Sequence, residues 1–171
     1  VPLSGDERLV DHGVVVVPEL GVDVERWPVV PPLVRSRMRR RHDLPDQLVV
    51  AVDRAAGEAD AAATLALASA AVATGVLVPL ALALGTPLVT NRETARFLGL
   101  RHGVEVEVVA GREEADRAAC RIAEHPETAA ALSRRARRFA ERHLDLGHPA
   151  AKVRERLGLG GAALAGAAPV L

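Results

Sequence analysis

The chain has 171 residues and a mass of 18.0 kDa, close to the usual size of one domain. Apolar residues make up 49% of it, which excludes a disordered chain. The 22 basic and 22 acidic residues balance and aromatic residues make up only 2%, which argues against nucleic acid as a partner. The single cysteine, Cys120, excludes an internal disulfide framework and a multi-cysteine metal site.

Short apolar runs in the first half of the chain predict buried strands. These runs cover residues 14–17, 47–52, 64–69 and 88–90, of which the third is weakened by its alanines. Periodic patterns between the runs predict two helices, over residues 33–42 and 76–84. Gly85 directly follows the second helical pattern and fits its C-terminal cap.

The second half of the chain carries clearer patterns. Val104–Val109 alternates valine with glutamate, which predicts a half-exposed edge strand. Residues 113–125 predict a helix whose apolar stripe is Ala115, Ala118, Ala119, Ile122 and Ala123, with Cys120 buried on the same side. Pro126 begins another helix, whose inward positions are Ala130, Leu132, Ala136, Phe139 and Ala140.

Strands that alternate with helices predict an α/β fold with a mainly parallel, Rossmann-like sheet and flanking helices. We expect one such domain over residues 1–157. Residues 158–171 are rich in glycine and alanine and uncharged, which predicts a flexible tail.

Residues 61–91 contain no charged side chain and are long enough to cross a membrane. Four breakers interrupt this segment, namely Gly75, Pro79, Gly85 and Pro87, and no basic cluster flanks it. A buried strand–helix–strand unit therefore explains the segment better than a membrane span, and no membrane partner is expected.

Motifs of catalysis or metal binding are not recognisable in the chain. Its six histidines show no ligand spacing, and it has no G-x-S-x-G motif. We therefore predict no catalytic residue, no metal and no resident cofactor. Two arginine clusters could contact nucleic acid, but a solvated helix face is the preferred interpretation of both. They are Arg37, Arg39, Arg40 and Arg41, and Arg134, Arg135, Arg137 and Arg138.

Several segments, taken in order, resemble the C-terminal, donor-binding domain of retaining GT-B glycosyltransferases that use nucleotide sugars. Residues 17–27 are similar to the family's V-P-N-G-V-D-x-E-R-F, and residues 39–54 to its L-G-L-P followed by V-V-x-V-G-R. Residues 83–89 resemble A-x-G-T-P-V-V, and residues 93–103 resemble E-G-A-R-G-L-x-L-x-x-G. Residues 126–143 are similar to the closing D-P helix with its A-R-x-x-A pattern.

The resemblance implies a shortened half of the GT-B fold with a site for a nucleotide sugar or a UDP-like ligand. The positions that it assigns to donor binding are Arg54, Gly75, Thr90, Asn91, Glu93 and Thr94. Arg54 matches a phosphate-holding arginine after the first strand of the domain. Arg54 and Glu93 are expected beyond the carboxyl ends of neighbouring parallel strands, where they would face one crevice or form a salt bridge.

The chain departs from the family at most of the donor-holding positions. The two glutamates of the family's Glu-x7-Glu motif correspond to Val72 and Leu80, whose side chains accept no hydrogen bond. No lysine follows Arg54, and Thr94 stands where a glycine would approach the phosphates. The segment that joins the first strand to the donor loop is short, so at least one βαβ unit is missing. Nearly all of the acceptor-binding domain is unmatched.

Three functions remain open on these grounds. The first is a cytoplasmic glycosyltransferase-related protein whose donor site is vestigial or is completed by a partner chain, with hexosyl transfer as its reaction if it is an enzyme. The second is a non-catalytic interaction module, a pseudoenzyme that forms homo-oligomers or binds a partner through an uncovered sheet or through the apolar segment 61–91. The third is a membrane-associated protein that uses residues 61–91.

Overall fold

The computed structural model describes residues 21–52 and 57–146, of which residues 21–145 belong to one compact unit. The strand predicted over residues 14–17, the predicted site residue Arg54 and the predicted tail lie outside the described residues. The domain bounds 1–157 and 158–171 therefore stay predictions.

A four-stranded parallel sheet forms the centre of the described chain. Its strands are β1 (Val49–Ala51), β2 (Ala70–Val72), β3 (Leu88–Asn91) and β4 (Glu107–Val109). They lie in the order β1-β2-β3-β4. In register, Val50 is opposite Ala71, Val72 is opposite Val89, and Thr90 is opposite Val108. The predicted parallel α/β sheet is confirmed.

Six α-helices flank the sheet within the described residues. They are α1 (Pro32–Arg41), α2 (Glu58–Leu67), α3 (Leu77–Ala83), α4 (Arg92–Leu98), α5 (Arg112–Glu124) and α6 (Pro126–Phe139), and a π-helical turn, Ala140–Leu144, continues α6. Each pair of consecutive strands is joined through one helix, as parallel strands require. The helices predicted near residues 33–42, 76–84 and 113–125 and after Pro126 are confirmed.

The sheet separates two apolar cores, because successive side chains of a strand point to opposite faces. Leu88 belongs to the core formed with α2 and α3, and Val89 belongs to the core formed with α5. The second core contains the whole predicted stripe of α5, from Ala115 to Ala123. Gly85, with φ of +65°, ends α3 as predicted.

The uncharged segment 61–91 folds into most of α2 and then β2, α3 and β3, and every residue of α3 is buried. Within residues 21–52 and 57–146, no helix combines the length and the apolar character needed to cross a membrane. The strand predicted over residues 64–69 is wrong, since α2 extends to Leu67 and the strand begins at Ala70. Alanine-rich sequence favours a helix there.

Two predictions of burial are also wrong. The strand predicted over residues 47–52 is not fully buried, since Val49 and Val50 are half-buried and Ala51 is exposed. β1 is the edge strand of the described sheet, which explains its exposure. Cys120 is exposed, because its position on α5 lies outside the buried stripe that contains Ala118 and Ala119.

Candidate functional site

A crevice of about 570 Å³ opens at the carboxyl edge of the sheet. The ends of all four strands and the first turns of α5 line it, over residues 51–52, 72–74, 90–91, 109–112 and 115–116. Open α/β sheets bind ligands outside the carboxyl ends of their strands, so this crevice is the candidate site.

Thr90 and Asn91, both predicted as site residues, line the crevice. The side chain of Thr90 is buried, and its Oγ1 has no hydrogen-bond partner among the described residues. A buried hydroxyl without a partner is costly, by about 1–3 kcal/mol. Thr90 therefore brings to the wall of the crevice a buried hydroxyl that bonds to none of the described residues.

Asn91, Thr94 and Gly75 are joined by hydrogen bonds next to the crevice. Asn91 Oδ1 accepts from the Thr94 N–H at 2.8 Å and caps α4, while Thr94 Oγ1 accepts from the Gly75 N–H at 3.2 Å. Gly75 has φ of +58°, a conformation that favours glycine. The structure thus brings three predicted site residues together, and two of their backbone N–H groups are already engaged.

The remaining predicted site residues lie differently from what the sequence suggested. Glu93 is exposed on α4 and is not among the residues that line the crevice. β1, which precedes Arg54, and β3, which precedes Glu93, are not neighbours, because β2 pairs with both of them. The expectation that these residues follow neighbouring strands is therefore wrong.

Sequence reasoning missed Arg112 and Asp116, which bring a guanidinium and a carboxylate to the crevice from the start of α5. A strand over residues 104–109 and the helix after it were both predicted, and β4 occupies the last three of these positions. The rule that parallel strands end at one edge would have placed residues 110–112 at this crevice as well.

The two positions at which the resemblance expects glutamates are apolar in the fold as well as in the sequence. Val72 ends β2 and lines the crevice, whereas Leu80 is buried inside α3. Neither side chain can hold a hydroxyl group of a sugar. No group of three or more histidine, cysteine or acidic side chains in the described ranges is arranged to hold a metal ion.

Two arginines of α1 point inward, which corrects the predicted solvated face for Arg39. Arg35 donates to four backbone oxygens, at Val30 (2.9 Å), Leu65 (2.8 Å), Ala68 (3.1 Å) and Leu84 (2.8 Å), and to Thr86 Oγ1 (3.1 Å). Arg39 donates to Leu67 O at 2.7 Å. These contacts supply donors to carbonyl groups at the C-terminal ends of α2 and α3.

Burial, and then the charge of Arg39, lower the pKa of Arg35 to about 10. Arg35 therefore remains charged at neutral pH. Burial also lowers the pKa of Arg39, against the opposing effect of the Asp46 carboxylate. Both cations are bound by carbonyl dipoles, whose negative ends lie at the helix C-termini.

Arg137 also departs from its predicted position on a solvated face. Its Nη1 donates to Trp27 O at 2.7 Å and to Ala83 O at 2.6 Å, and its Nε donates to Glu141 Oε1 at 2.7 Å. It therefore fixes α6 against α3 and the loop that precedes α1. The other three arginines of this cluster are exposed.

Glu105, predicted on the exposed side of an edge strand, is buried. It accepts hydrogen bonds from the backbone N–H of Arg101 at 2.9 Å and from Arg101 Nη2 at 2.6 Å. Burial alone would raise the pKa of Glu105, but the hydrogen bonds and the charge of Arg101 outweigh it, so this pKa lies below its ordinary value.

Comparison with known proteins gives matches in structure only. No protein-family profile and no curated protein matches the chain. One similar structure is HepE from Anabaena, solved with UDP-glucose. The match covers 81% of this chain and 56% of the HepE chain, at a TM-score of 0.60 and 14% identity. Another is sucrose-phosphate synthase from Thermosynechococcus elongatus. The match covers 91% of this chain and 57% of the synthase chain, at a TM-score of 0.61 and 15% identity.

The chain has the fold of one half of a GT-B glycosyltransferase. The resemblance seen in the sequence is thereby confirmed at the level of fold. HepE has also been solved with UDP, and that structure matches at a TM-score of 0.61. The chain spans little more than half the length of these structures.

Proposed function

We propose that the chain is a glycosyltransferase-related protein that retains a donor-type crevice, binds UDP or a UDP-sugar weakly, and does not transfer sugar by itself. The observation that carries this proposal is the crevice at the carboxyl edge, with apolar Val72 at one expected glutamate position. The fold and the crevice support the ancestry, and the lost side chains support the inactivity.

The chemistry of the crevice favours weak binding. A diphosphate requires several cations or free N–H groups to balance its charge. Among the described side chains the crevice offers one guanidinium, from Arg112, and the Asp116 carboxylate opposes it. The Gly75 N–H already donates to Thr94 Oγ1, so that amide contributes nothing more to a phosphate.

Calorimetric titration with UDP and UDP-glucose tests the binding part of this proposal. We expect heat only at millimolar ligand, and a several-fold loss of affinity in Arg112→Gln. Arg117→Gln is the matched control, because Arg117 is exposed on α5 and is not one of the lining residues. Arg54→Gln tests the role that the resemblance gives to Arg54, with an expected loss of about tenfold.

Two results would contradict the proposal. The first is the absence of heat with either ligand at several millimolar. The second is equal affinity in the unchanged chain, Arg112→Gln and Arg54→Gln. Either result would leave the second candidate function in place.

A non-catalytic interaction module is that second candidate, and the exposed side of α1 favours it. Leu33 is 73% exposed and Val34 is 41% exposed, while Arg35 and Arg39 of the same helix point inward. Val29, just before the helix, is also exposed. Contiguous exposed apolar side chains are typical of surfaces that bind other proteins.

A further inference from the structure

A second concave site lies away from the carboxyl edge, between α4, α6 and the loop before β4. It encloses about 650 Å³, within the range of small-molecule sites. Its charged and polar lining consists of Arg101, Glu105, Arg135, Arg138, Arg142 and His143. This basic groove shares no lining residue with the crevice at the carboxyl edge.

Three of its four guanidiniums are unmatched. Arg135, Arg138 and Arg142 are exposed and form no hydrogen bond or ion pair with the described residues. They are spaced by three and four positions along α6 and the π-helical turn, so their like charges face one another. Such repulsion is relieved when an anion binds between them.

The fourth guanidinium is held in place before any ligand arrives. Glu105, which is mostly buried but also lines the groove, accepts from Arg101 Nη2 at 2.6 Å and from Arg101 Nε at 3.3 Å, so its carboxylate offsets the charge of this one arginine. The Arg101 side chain nevertheless remains 71% exposed. A fixed, exposed guanidinium with free N–H groups loses little conformational entropy when it binds an oxyanion.

The groove also contains an aromatic pair. Phe139 and His143 lie with their ring centroids 4.7 Å apart, one turn apart on the same face. The groove therefore combines an aromatic wall with cations from two separate segments of the chain.

We propose that this groove binds a small ligand with two or more adjacent phosphate groups. Guanidinium forks match the geometry of phosphate oxygens and bind them in pairs. Nucleic acid fits less well, because the chain has zero formal net charge and none of its three aromatic residues is free in the groove to stack on bases. The inference does not depend on the proposed function of the crevice.

Calorimetric titration of the full chain with sodium tripolyphosphate tests the proposal, at about 50 mM NaCl, where screening is weak. We expect one site of sub-millimolar affinity. The double variant Arg138→Gln/Arg142→Gln should bind about a hundredfold more weakly, and the single variant Arg135→Gln about tenfold. These side chains have no partners to lose, so the variants should keep the circular dichroism of the unchanged chain.

Arg134→Gln is the matched control, since Arg134 is exposed on the same helix and does not line the groove. Unchanged affinity in this variant supports the proposal. Equal losses in Arg134→Gln and Arg135→Gln would overturn it, because they would indicate diffuse attraction. Absence of heat with tripolyphosphate would also overturn it, as would binding of a single-stranded oligonucleotide that tripolyphosphate does not displace.

Discussion

Arg35 and Arg137 donate to adjacent carbonyl groups at the C-terminal end of α3, although they belong to α1 and α6. Arg35 Nη2 contacts Leu84 O at 2.8 Å, and Arg137 Nη1 contacts Ala83 O at 2.6 Å. α3 is wholly buried and uncharged, so its last carbonyl groups have little access to water. The two guanidiniums replace that water, which makes them structural rather than ligand-binding cations.

The substitution Arg35→Met should lower the free energy of unfolding by roughly 3 kcal/mol or more, because several buried carbonyl groups lose their donor at once. Urea denaturation measures this change. Arg37→Met is the matched control on the same helix, and its exposed position predicts an effect within about 0.5 kcal/mol. Similar losses in the two variants would contradict the buried role of Arg35.

Two buried threonines should respond in opposite directions to replacement by valine. Thr90 Oγ1 has no partner among the described residues, so Thr90→Val should raise the free energy of unfolding by about 1 kcal/mol. Thr86 Oγ1 donates to Leu65 O at 2.9 Å and accepts from Arg35, so Thr86→Val should lower it by a similar amount or more. Thermal unfolding of both variants decides this, and a change of the same sign in both would contradict it.

The amphipathic pattern made α5 predictable, because its five buried residues follow from a 3.6-residue period within one segment. The orientation of α1 was not predictable in this way. Leu33 and Val34 face water while Arg35 and Arg39 are buried, which reverses the usual placement of apolar and charged side chains. The cause lies in carbonyl groups and a hydroxyl at residues 65–68 and 84–86, far away along the chain.

The candidate site was predictable in part for a similar reason. The rule for parallel strands placed Thr90 and Asn91 at the carboxyl edge, and both line the crevice. It did not indicate that Gly75 and Thr94 bind each other, since this contact depends on the loop conformation at Gly75. The basic groove was hidden because Arg101 and Arg142 are distant in sequence and meet only in the fold.

The free energy of unfolding should depend on pH because of Glu105. The pKa of Glu105 is lowered in the folded state from an ordinary value of about 4.5. The stability that Glu105 contributes is therefore fully present above this value and is lost as pH falls through the lower folded-state pKa. Glu105→Gln should therefore destabilise the chain at neutral pH, and the difference should shrink in acid. Glu25→Gln, at an exposed loop position, is the control. A difference that stays constant with pH would contradict this assignment.

Self-association through the outer side of α1 is a separate prediction. Light scattering of the purified chain should detect a dimer or larger species at high concentration. Leu33→Lys should shift it toward the monomer, because a charge replaces an exposed apolar contact. Val76→Lys, at another exposed aliphatic position, should not have this effect. A clean monomer at high concentration would contradict the prediction.

Release of nucleotide from a panel of UDP-, ADP- and GDP-sugars, measured with the purified chain in excess over trace donor, is the most direct test of the central claim. The loss of acidic side chains at Val72 and Leu80 predicts release no faster than in buffer, even with simple sugars added as acceptors. Turnover above the buffer rate that is abolished by Arg112→Gln but not by Arg117→Gln would contradict the account, because the crevice would then be a working active site.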